Sequence, residues 1–338
     1  MNARRRPLIP RPRTASRAVL AGAVALGALG LTACGTGTAD GGGKGVDVVA
    51  SFYPMRFLAE EIGGKHVTVE TLTKPGVEAH DLELSPRQIA DLGKADLVVY
   101  LEGFQPAVDK AIEQSGAEHV AEAGSYTELE THGSGHEEGH EGHEEGHGDE
   151  HGGEHEGHDH GHGEDALDPH VWLDPVKYAE IAEGVGEALA KADPEHAADY
   201  RKNAEALAEK LDALDADFRE GLENRRTDTF ITTHSAFGYL AERYGLHEES
   251  IAGLDPESEP SGARMKELHE IAEEDKVNTV FFETAASDRT AGTLADDLGL
   301  RTDVLDPVEG IGDDSRGDDY FEVMRANLQA LRTALGAE

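Results

Sequence analysis

The chain has 338 residues, of which 69 are acidic and 30 basic, and its formal net charge is −39. Such an excess of negative charge argues against a nucleic-acid partner, because phosphate binding depends on Lys and Arg side chains, and it favours cationic ligands. The single cysteine excludes an intramolecular disulfide bond and any cysteine-based zinc cluster. The length suits about two domains, and the 18 histidines are the unusual feature of the composition.

The N-terminal 33 residues have the features of a secretory signal. Six arginines precede an apolar run over residues 18–31, which is too short for a comfortable membrane span. Leu31-Thr-Ala-Cys34 follows and resembles the bacterial lipobox, whose cysteine becomes the lipidated first residue of the mature protein. We therefore predict a signal peptide over residues 1–33 and a lipidated, flexible tether over residues 34–45. This interpretation places the protein outside the cytoplasm, anchored to the cell membrane through Cys34; the alternative is a free cysteine after an ordinary signal.

Short β-branched runs alternate with helical patterns in two parts of the chain. The runs cover residues 46–52, 67–72, 95–101 and 119–122, and then residues 229–233, 249–254, 279–282 and 302–305. This alternation predicts an α/β fold with two lobes, each with a mainly parallel four-stranded sheet flanked by helices. We place the N-terminal lobe at residues 46–192 and the C-terminal lobe at residues 227–338.

One long helix is predicted to bridge the lobes over residues 193–226. Asp193-Pro194 has the form of a helix N-cap followed by a first-turn proline. Apolar residues recur at intervals of three and four from Tyr200 to Phe218, which forms a stripe that could lie along both lobes. A coiled-coil dimer is the alternative, but the run is short and its seam is rich in alanine, so we expect a monomer.

Residues 131–165 form a tract made almost entirely of histidine, glycine and acidic residues, with no Lys or Arg. With almost no large apolar side chain the tract cannot offset its ordering entropy, so we predict a disordered loop. Imidazole and carboxylate groups attract Zn²⁺, which predicts a secondary metal-attracting loop of weak sites; a passive solvated linker is the alternative. The ten histidines of the tract are His132, His136, His140, His143, His147, His151, His155, His158, His160 and His162.

Three of the eight other histidines occupy positions that suit a binding site. His80 lies in the loop after the second predicted strand, His170 stands just before a helix, and His234 ends the first strand of the second lobe. Ligands of open parallel sheets bind beyond the carboxyl ends of the strands, where His80 and His234 are expected. No role is assigned to the remaining five, which are His66, His119, His196, His247 and His269.

The segments around these three histidines resemble the substrate-binding proteins of bacterial zinc-uptake ABC transporters. The matching segments are Gly76-Val-Glu-Ala-His80 with Leu84-Ser-Pro86, Asp168-Pro-His-Val-Trp-Leu-Asp-Pro175, Thr233-His-Ser-Ala-Phe-Gly-Tyr-Leu240 and Leu305-Asp-Pro-Val308. The resemblance spans residues 46–335 and implies two α/β lobes joined by a long helix. The zinc-binding members also carry a His-rich loop before the second metal-binding histidine, where this chain has its tract.

The resemblance implies that His80, His170 and His234 bind one Zn²⁺ in the interlobe cleft, with Asp306 or water as the fourth ligand. Other acidic candidates for that position are Glu283 and Glu78. Manganese-binding relatives carry a carboxylate in place of His234, so the histidine favours zinc.

The implied function is extracytoplasmic capture of Zn²⁺ and its delivery to an ABC permease, without enzymatic activity. A metal buffer that serves no transporter and a zinc metallohydrolase are the alternatives. Three histidines with an open fourth position are also the format of a catalytic zinc site. However, no predicted helix carries a His-Glu-x-x-His motif, and ligands from two lobes suit capture better than catalysis.

Overall fold

The computed structural model describes residues 45–132, 167–283 and 289–337. The predicted signal peptide, Cys34 with its tether up to residue 44, and the His-rich tract from residue 133 onward lie outside the described residues. The strands are β1 (Val46–Ala50), β2 (Val67–Thr71), β3 (Leu97–Tyr100), β4 (Val120–Glu122), β5 (Thr229–Thr232), β6 (His247–Ser250), β7 (Thr279–Phe282) and β8 (Arg301–Val304). The α-helices are α1 (Tyr53–Gly63), α2 (Pro86–Leu92), α3 (Pro106–Ser115), α4 (Pro175–Ala192), α5 (Ala197–Leu222), α6 (Gly238–Tyr244), α7 (Gly262–Glu274), α8 (Arg289–Leu298) and α9 (Tyr320–Leu335).

The strands form two parallel sheets with the same topology. The first sheet has the order β2-β1-β3-β4 and the second β6-β5-β7-β8. In the first, Val48 of the central strand lies opposite Val69 on one side and Leu97 on the other. The predicted fold class is confirmed, and because the strands of each sheet are parallel, their carboxyl ends meet at one edge.

Several helices begin where the sequence supplies a cap. Ser85 and Gln88 form a reciprocal capping box at the start of α2. The carboxylate of Asp174 accepts the amide of Val176 at 2.8 Å at the start of α4, where Pro175 occupies the first turn. One strand is shifted from its predicted position: β6 covers residues 247–250 rather than 249–254.

The long helix α5 has 26 residues and is about 39 Å long at 1.5 Å per residue. It begins at Ala197, four residues later than predicted, because Asp193 serves α4 instead: its amide donates to the carbonyl of Leu189 at 2.8 Å. The Asp193 carboxylate accepts hydrogen bonds from Tyr200 Oη at 2.7 Å and pairs with His196 Nδ1 at 2.6 Å. This network orients the first turn of α5 against the end of α4.

The buried face of α5 joins the two lobes. Its apolar stripe is fully or almost fully buried and packs against α1 and α4 on one side and α6 and α9 on the other. The largest hydrophobic cluster is therefore continuous between the lobes. Trp172 ties them further, because its indole donates to the carbonyl of Pro307 at 2.8 Å while its own carbonyl accepts from Tyr320 Oη at 2.7 Å.

In the part of the chain that the structure describes, no helix combines the length and the apolar character needed to cross a membrane.

The stripe on α5 should contribute measurably to stability. Leu211 is completely buried, so Leu211→Ala should lower the free energy of unfolding by about 2–5 kcal/mol through lost burial and the cavity left behind. Glu209→Ala, an exposed position on the same helix, should change it by less than about 0.5 kcal/mol. Denaturant titration of both variants checks this, and equal effects would show that α5 does not depend on its buried face.

Candidate metal centre

His80 lies in the loop that follows β2 and is held by its own turn. The carboxylate of Glu78 accepts the amides of His80 at 2.7 Å and Asp81 at 3.0 Å. The buried side chain of Gln105 donates to the carbonyl of Ala79 at 2.7 Å and fixes the turn from the other side. Glu78, an acidic candidate from the sequence, therefore acts through the backbone of the loop.

His170 is completely buried just before α4. Its ring Nδ1 lies 2.7 Å from Oδ1 of Asp168, and its amide donates to the same oxygen at 2.9 Å. A carboxylate at one ring nitrogen fixes the tautomer and directs the other nitrogen toward a metal ion. Asp168 thus orients Nε2 of His170 into the cleft.

His234 follows β5, and a carboxylate of the second lobe lies beside its ring. Its Nδ1 lies 2.7 Å from Oε1 of Glu283, which stands directly after β7. Glu283 is buried and also accepts a hydrogen bond from the hydroxyl of Thr233. The sequence suggested Glu283 as an acidic candidate, and the structure places it behind the ring of His234.

The acid that reaches the three histidines is Glu309, which is not among the residues predicted from the sequence. Asp306, the predicted fourth ligand, instead accepts the amide of Val308 at 2.8 Å with Oδ1. Val308 has a φ of +60°, a left-handed conformation that is unfavourable for a β-branched residue and costs on the order of 1–3 kcal/mol. The turn held by Asp306 carries this strain and presents the Glu309 carboxylate to the cleft.

The four side chains form a cluster of nearly tetrahedral dimensions. Oε1 of Glu309 lies 3.3 Å from Nε2 of His80, 3.5 Å from Nε2 of His170 and 3.6 Å from Nε2 of His234. The Nε2 atoms of His170 and His234 are 3.4 Å apart, and one ligand atom from each of the four residues lies within 4.8 Å of the others. A tetrahedral Zn²⁺ site with bonds of about 2.0–2.1 Å has edges of about 3.3 Å. The cluster could therefore hold zinc with little rearrangement.

Burial and charge act against each other in this cluster. Burial favours neutral groups, but the Asp168 carboxylate raises the pKa of His170, and Glu283 with Glu309 raises the pKa of His234 well above its usual value. Burial would also raise the pKa of Glu309, yet the three imidazoles hold it well below the usual range. The raised pKa values of His170 and His234 favour their protonated forms beside the carboxylates, and a bound metal ion would replace those protons.

A cavity next to the cluster is acidic. A cavity of about 70 Å³ beside Glu309 is also lined by Glu283, Asp306, Asp313 and Asp314. Carboxylates that line a cleft concentrate cations near it and exclude anions. Part of the acidic excess of the chain thus lies beside the metal centre.

One histidine of the tract lies inside the described residues and away from the cleft cluster. The structure differs here from the predicted disordered loop, because His132 Nδ1 lies 2.9 Å from Oδ2 of Asp168 and Nε2 lies 2.8 Å from Oε2 of Glu242. The other nine histidines of the tract and Cys34 lie outside the described residues.

Two parallel-sheet lobes with a His₃-carboxylate cluster between them define a metal-binding protein of the two-lobed type. Residues 48–334 match the family model described as zinc-uptake complex component A, periplasmic, or ZnuA. The chain belongs to this family, and the resemblance identified in the sequence is confirmed.

Individual relatives agree with this assignment. The chain is 36% identical over 315 residues to the high-affinity zinc uptake system protein ZnuA of Bacillus subtilis, covering 90% of this chain and 93% of that protein. It is 35% identical over 303 residues to the zinc-binding lipoprotein AdcA of Streptococcus pneumoniae, covering 87% of this chain but just over half, 56%, of AdcA. The Zn(II)-bound ZnuA-like domain of Streptococcus pneumoniae AdcA has a similar structure, with a TM-score of 0.67 and 32% identity over 86% of this chain and 99% of that one.

Two variants of Asp306 test whether its carboxylate holds the turn at Val308 or binds the metal directly. Asp306→Ala removes the acceptor of the Val308 amide, so Glu309 should lose its position and zinc affinity should fall about 10- to 100-fold. Asp306→Asn keeps an acceptor oxygen and should stay close to the wild-type affinity. Competition with a zinc-chelating dye measures both, and an equal loss in the two variants would indicate that the Asp306 carboxylate itself binds the metal.

Proposed function

We propose that the protein captures Zn²⁺ outside the cytoplasm through His80, His170, His234 and Glu309 and delivers it to an ABC permease. The observation that carries this proposal is the set of four ligand-atom separations of 3.3–3.6 Å, which match the edges of a tetrahedral zinc site. Three imidazoles and one carboxylate suit zinc better than the harder ion Mn²⁺, which prefers oxygen ligands. The relatives named for zinc uptake support the same cargo.

The ligand set favours a carrier over an enzyme. A catalytic zinc site keeps one position open for water or substrate, whereas Glu309 supplies a fourth protein ligand here. Glu283, a carboxylate that could serve as a general base, already lies against His234 Nδ1. We therefore propose that the bound ion is cargo and that the protein has no enzymatic role.

The arrangement in the cell follows from the same proposal. Lipidation at Cys34 would hold a monomer close to its permease, with the two lobes and their linking helix carried on a flexible tether. The His-rich tract would raise the local zinc concentration near the cleft. A relative named as a zinc-binding lipoprotein supports the anchor.

Each cleft ligand should be needed for tight zinc binding. If about 10–16 kcal/mol of binding free energy is shared among four ligands, removing one costs roughly 3 kcal/mol, or about 100-fold in affinity. Calorimetric titration of His80→Ala, His170→Ala, His234→Ala and Glu309→Gln checks this. His119→Ala, an exposed position in the first lobe, serves as the matched control.

The His-rich tract should not be needed for the tight zinc-binding event in the cleft. Replacing its nine histidines from His136 to His162 by asparagine should remove weak zinc equivalents and leave the tight one unchanged. Loss of the tight event in this variant alone would place the high-affinity site in the tract and contradict the cleft assignment.

The lipid anchor has its own test. Cys34→Ala should move the protein from the membrane fraction to the soluble extracytoplasmic fraction while the purified protein binds zinc as before. Thr36→Ala, two residues further on, should remain in the membrane fraction. Retention of Cys34→Ala on membranes washed with high salt would contradict lipidation at this residue.

A further inference from the structure

We propose that Glu130, His132 and Glu242 bind a second divalent transition-metal ion at the base of the His-rich tract, separate from the cleft. Each offers one ligand atom, and these atoms lie within 4.8 Å of one another. The proposed zinc capture needs only the cleft cluster, so this site goes beyond it. One imidazole and two carboxylates, completed by water, suit a borderline ion such as Zn²⁺.

The contacts around the ring of His132 fix its orientation. It packs edge-on against Tyr239, with ring centroids 4.4 Å apart, and its Nδ1 lies 2.9 Å from Oδ2 of Asp168. Gly238 makes room for it, because a Cβ at that position would lie 2.4 Å from the Cβ of His132. With Nδ1 held by a carboxylate, Nε2 is directed outward at Oε2 of Glu242, 2.8 Å away. This is the arrangement that orients a metal-binding histidine.

The backbone that carries Glu130 is also fixed. Its amide donates to Tyr239 Oη at 2.7 Å, and its carbonyl accepts the amide of Asp168 at 2.8 Å. Tyr239 Oη in turn donates to the carbonyl of Asp168 at 3.0 Å. The two chain segments that flank the tract are thereby paired, and the ligand positions do not depend on residues 133–166.

The charges around His132 favour the binding of a cation. Two carboxylates approach one imidazole, and Lys177 Nζ, 2.6 Å from Oε1 of Glu130, supplies one positive charge. The side chains of Glu130 and Glu242 are 34% and 60% exposed, so an ion can enter from solvent. Because solvent screens the carboxylates and Lys177 competes for Glu130, binding should be weaker than in the buried cleft.

The test uses the full chain with the nine histidines from His136 to His162 changed to asparagine, so that only histidines outside that stretch remain. Calorimetric titration with Zn²⁺ should show one tight event from the cleft and one weaker event. His132→Asn in this background should remove the weaker equivalent, and Glu242→Gln should weaken it about tenfold while the tight event stays unchanged. Lys177→Gln should strengthen the weaker event about fivefold, since it removes a unit charge close to the ion. His119→Asn is the control and should change neither event.

Two results would overturn the proposal. An unchanged weaker event in both His132→Asn and Glu242→Gln would show that zinc does not bind there. A weakened tight event in His132→Asn, with no lost equivalent, would show that His132 serves only to support Asp168 and His170. If the parent lacked the tight event but kept the weaker one, the cleft assignment would fail and this site would stand.

Discussion

The metal centre depends on the way that carboxylates hold buried imidazoles. Three rings converge on one oxygen of Glu309, and the two most deeply buried, His170 and His234, are each backed by a carboxylate from their own lobe. Asp168 accepts a hydrogen bond from Nδ1 of His170, and Glu283 lies 2.7 Å from Nδ1 of His234, so that Nε2 of each ring faces inward. Buried histidines without such partners would carry no defined orientation, and the near-tetrahedral spacing would be lost.

The common core of the two lobes limits how this site can open. His80 and His170 come from the first part of the chain, and His234 and Glu309 from the second, yet one hydrophobic cluster and the Trp172–Pro307 hydrogen bond join these parts. Lobes separated by a small, polar interface move freely, whereas a large apolar one resists movement. We therefore expect release of an ion to depend on displacement of the loops that carry the ligands rather than on wide separation of the lobes. The strained turn at Val308 is one such loop, because relaxing it would withdraw Glu309.

Most of the fold and three of the four cleft residues could be predicted from the sequence, because they depend on local signals. The strand runs, the helix that follows His170 and the strand-end position of His234 each follow from the residues of one short segment. Glu309 was not predictable in this way. It and Asp306 are both acids that follow β8, and the choice between them depends on a left-handed Val308, which a β-branched residue gives no reason to expect.

The contacts of His132 could not be predicted from the sequence, for a different reason. Composition alone places His132 in a tract that has too few apolar side chains to form a core. Its ring packs against Gly238 and Tyr239, more than a hundred residues further along the chain. Likewise, the Asp193-Pro194 pair has the form of a helix start, yet Asp193 ends α4 because the carbonyl of Leu189 accepts its amide. For His132 a tertiary contact decides the local structure, whereas for Asp193 a hydrogen bond within the last turn of α4 does so.

The position of Trp172 has an optical consequence. It is the only tryptophan of the chain, it is fully buried, and its ring centroid lies 5.3 Å from that of His170. A protonated imidazole quenches nearby indole emission, so exchange of a proton for a metal ion on His170 alters the light that this one residue emits. The hydrogen bond from its indole to Pro307 makes the same emission sensitive to the register between the lobes. The protein thus contains an intrinsic fluorophore that reports on the cleft and the lobe contact together, without any attached label.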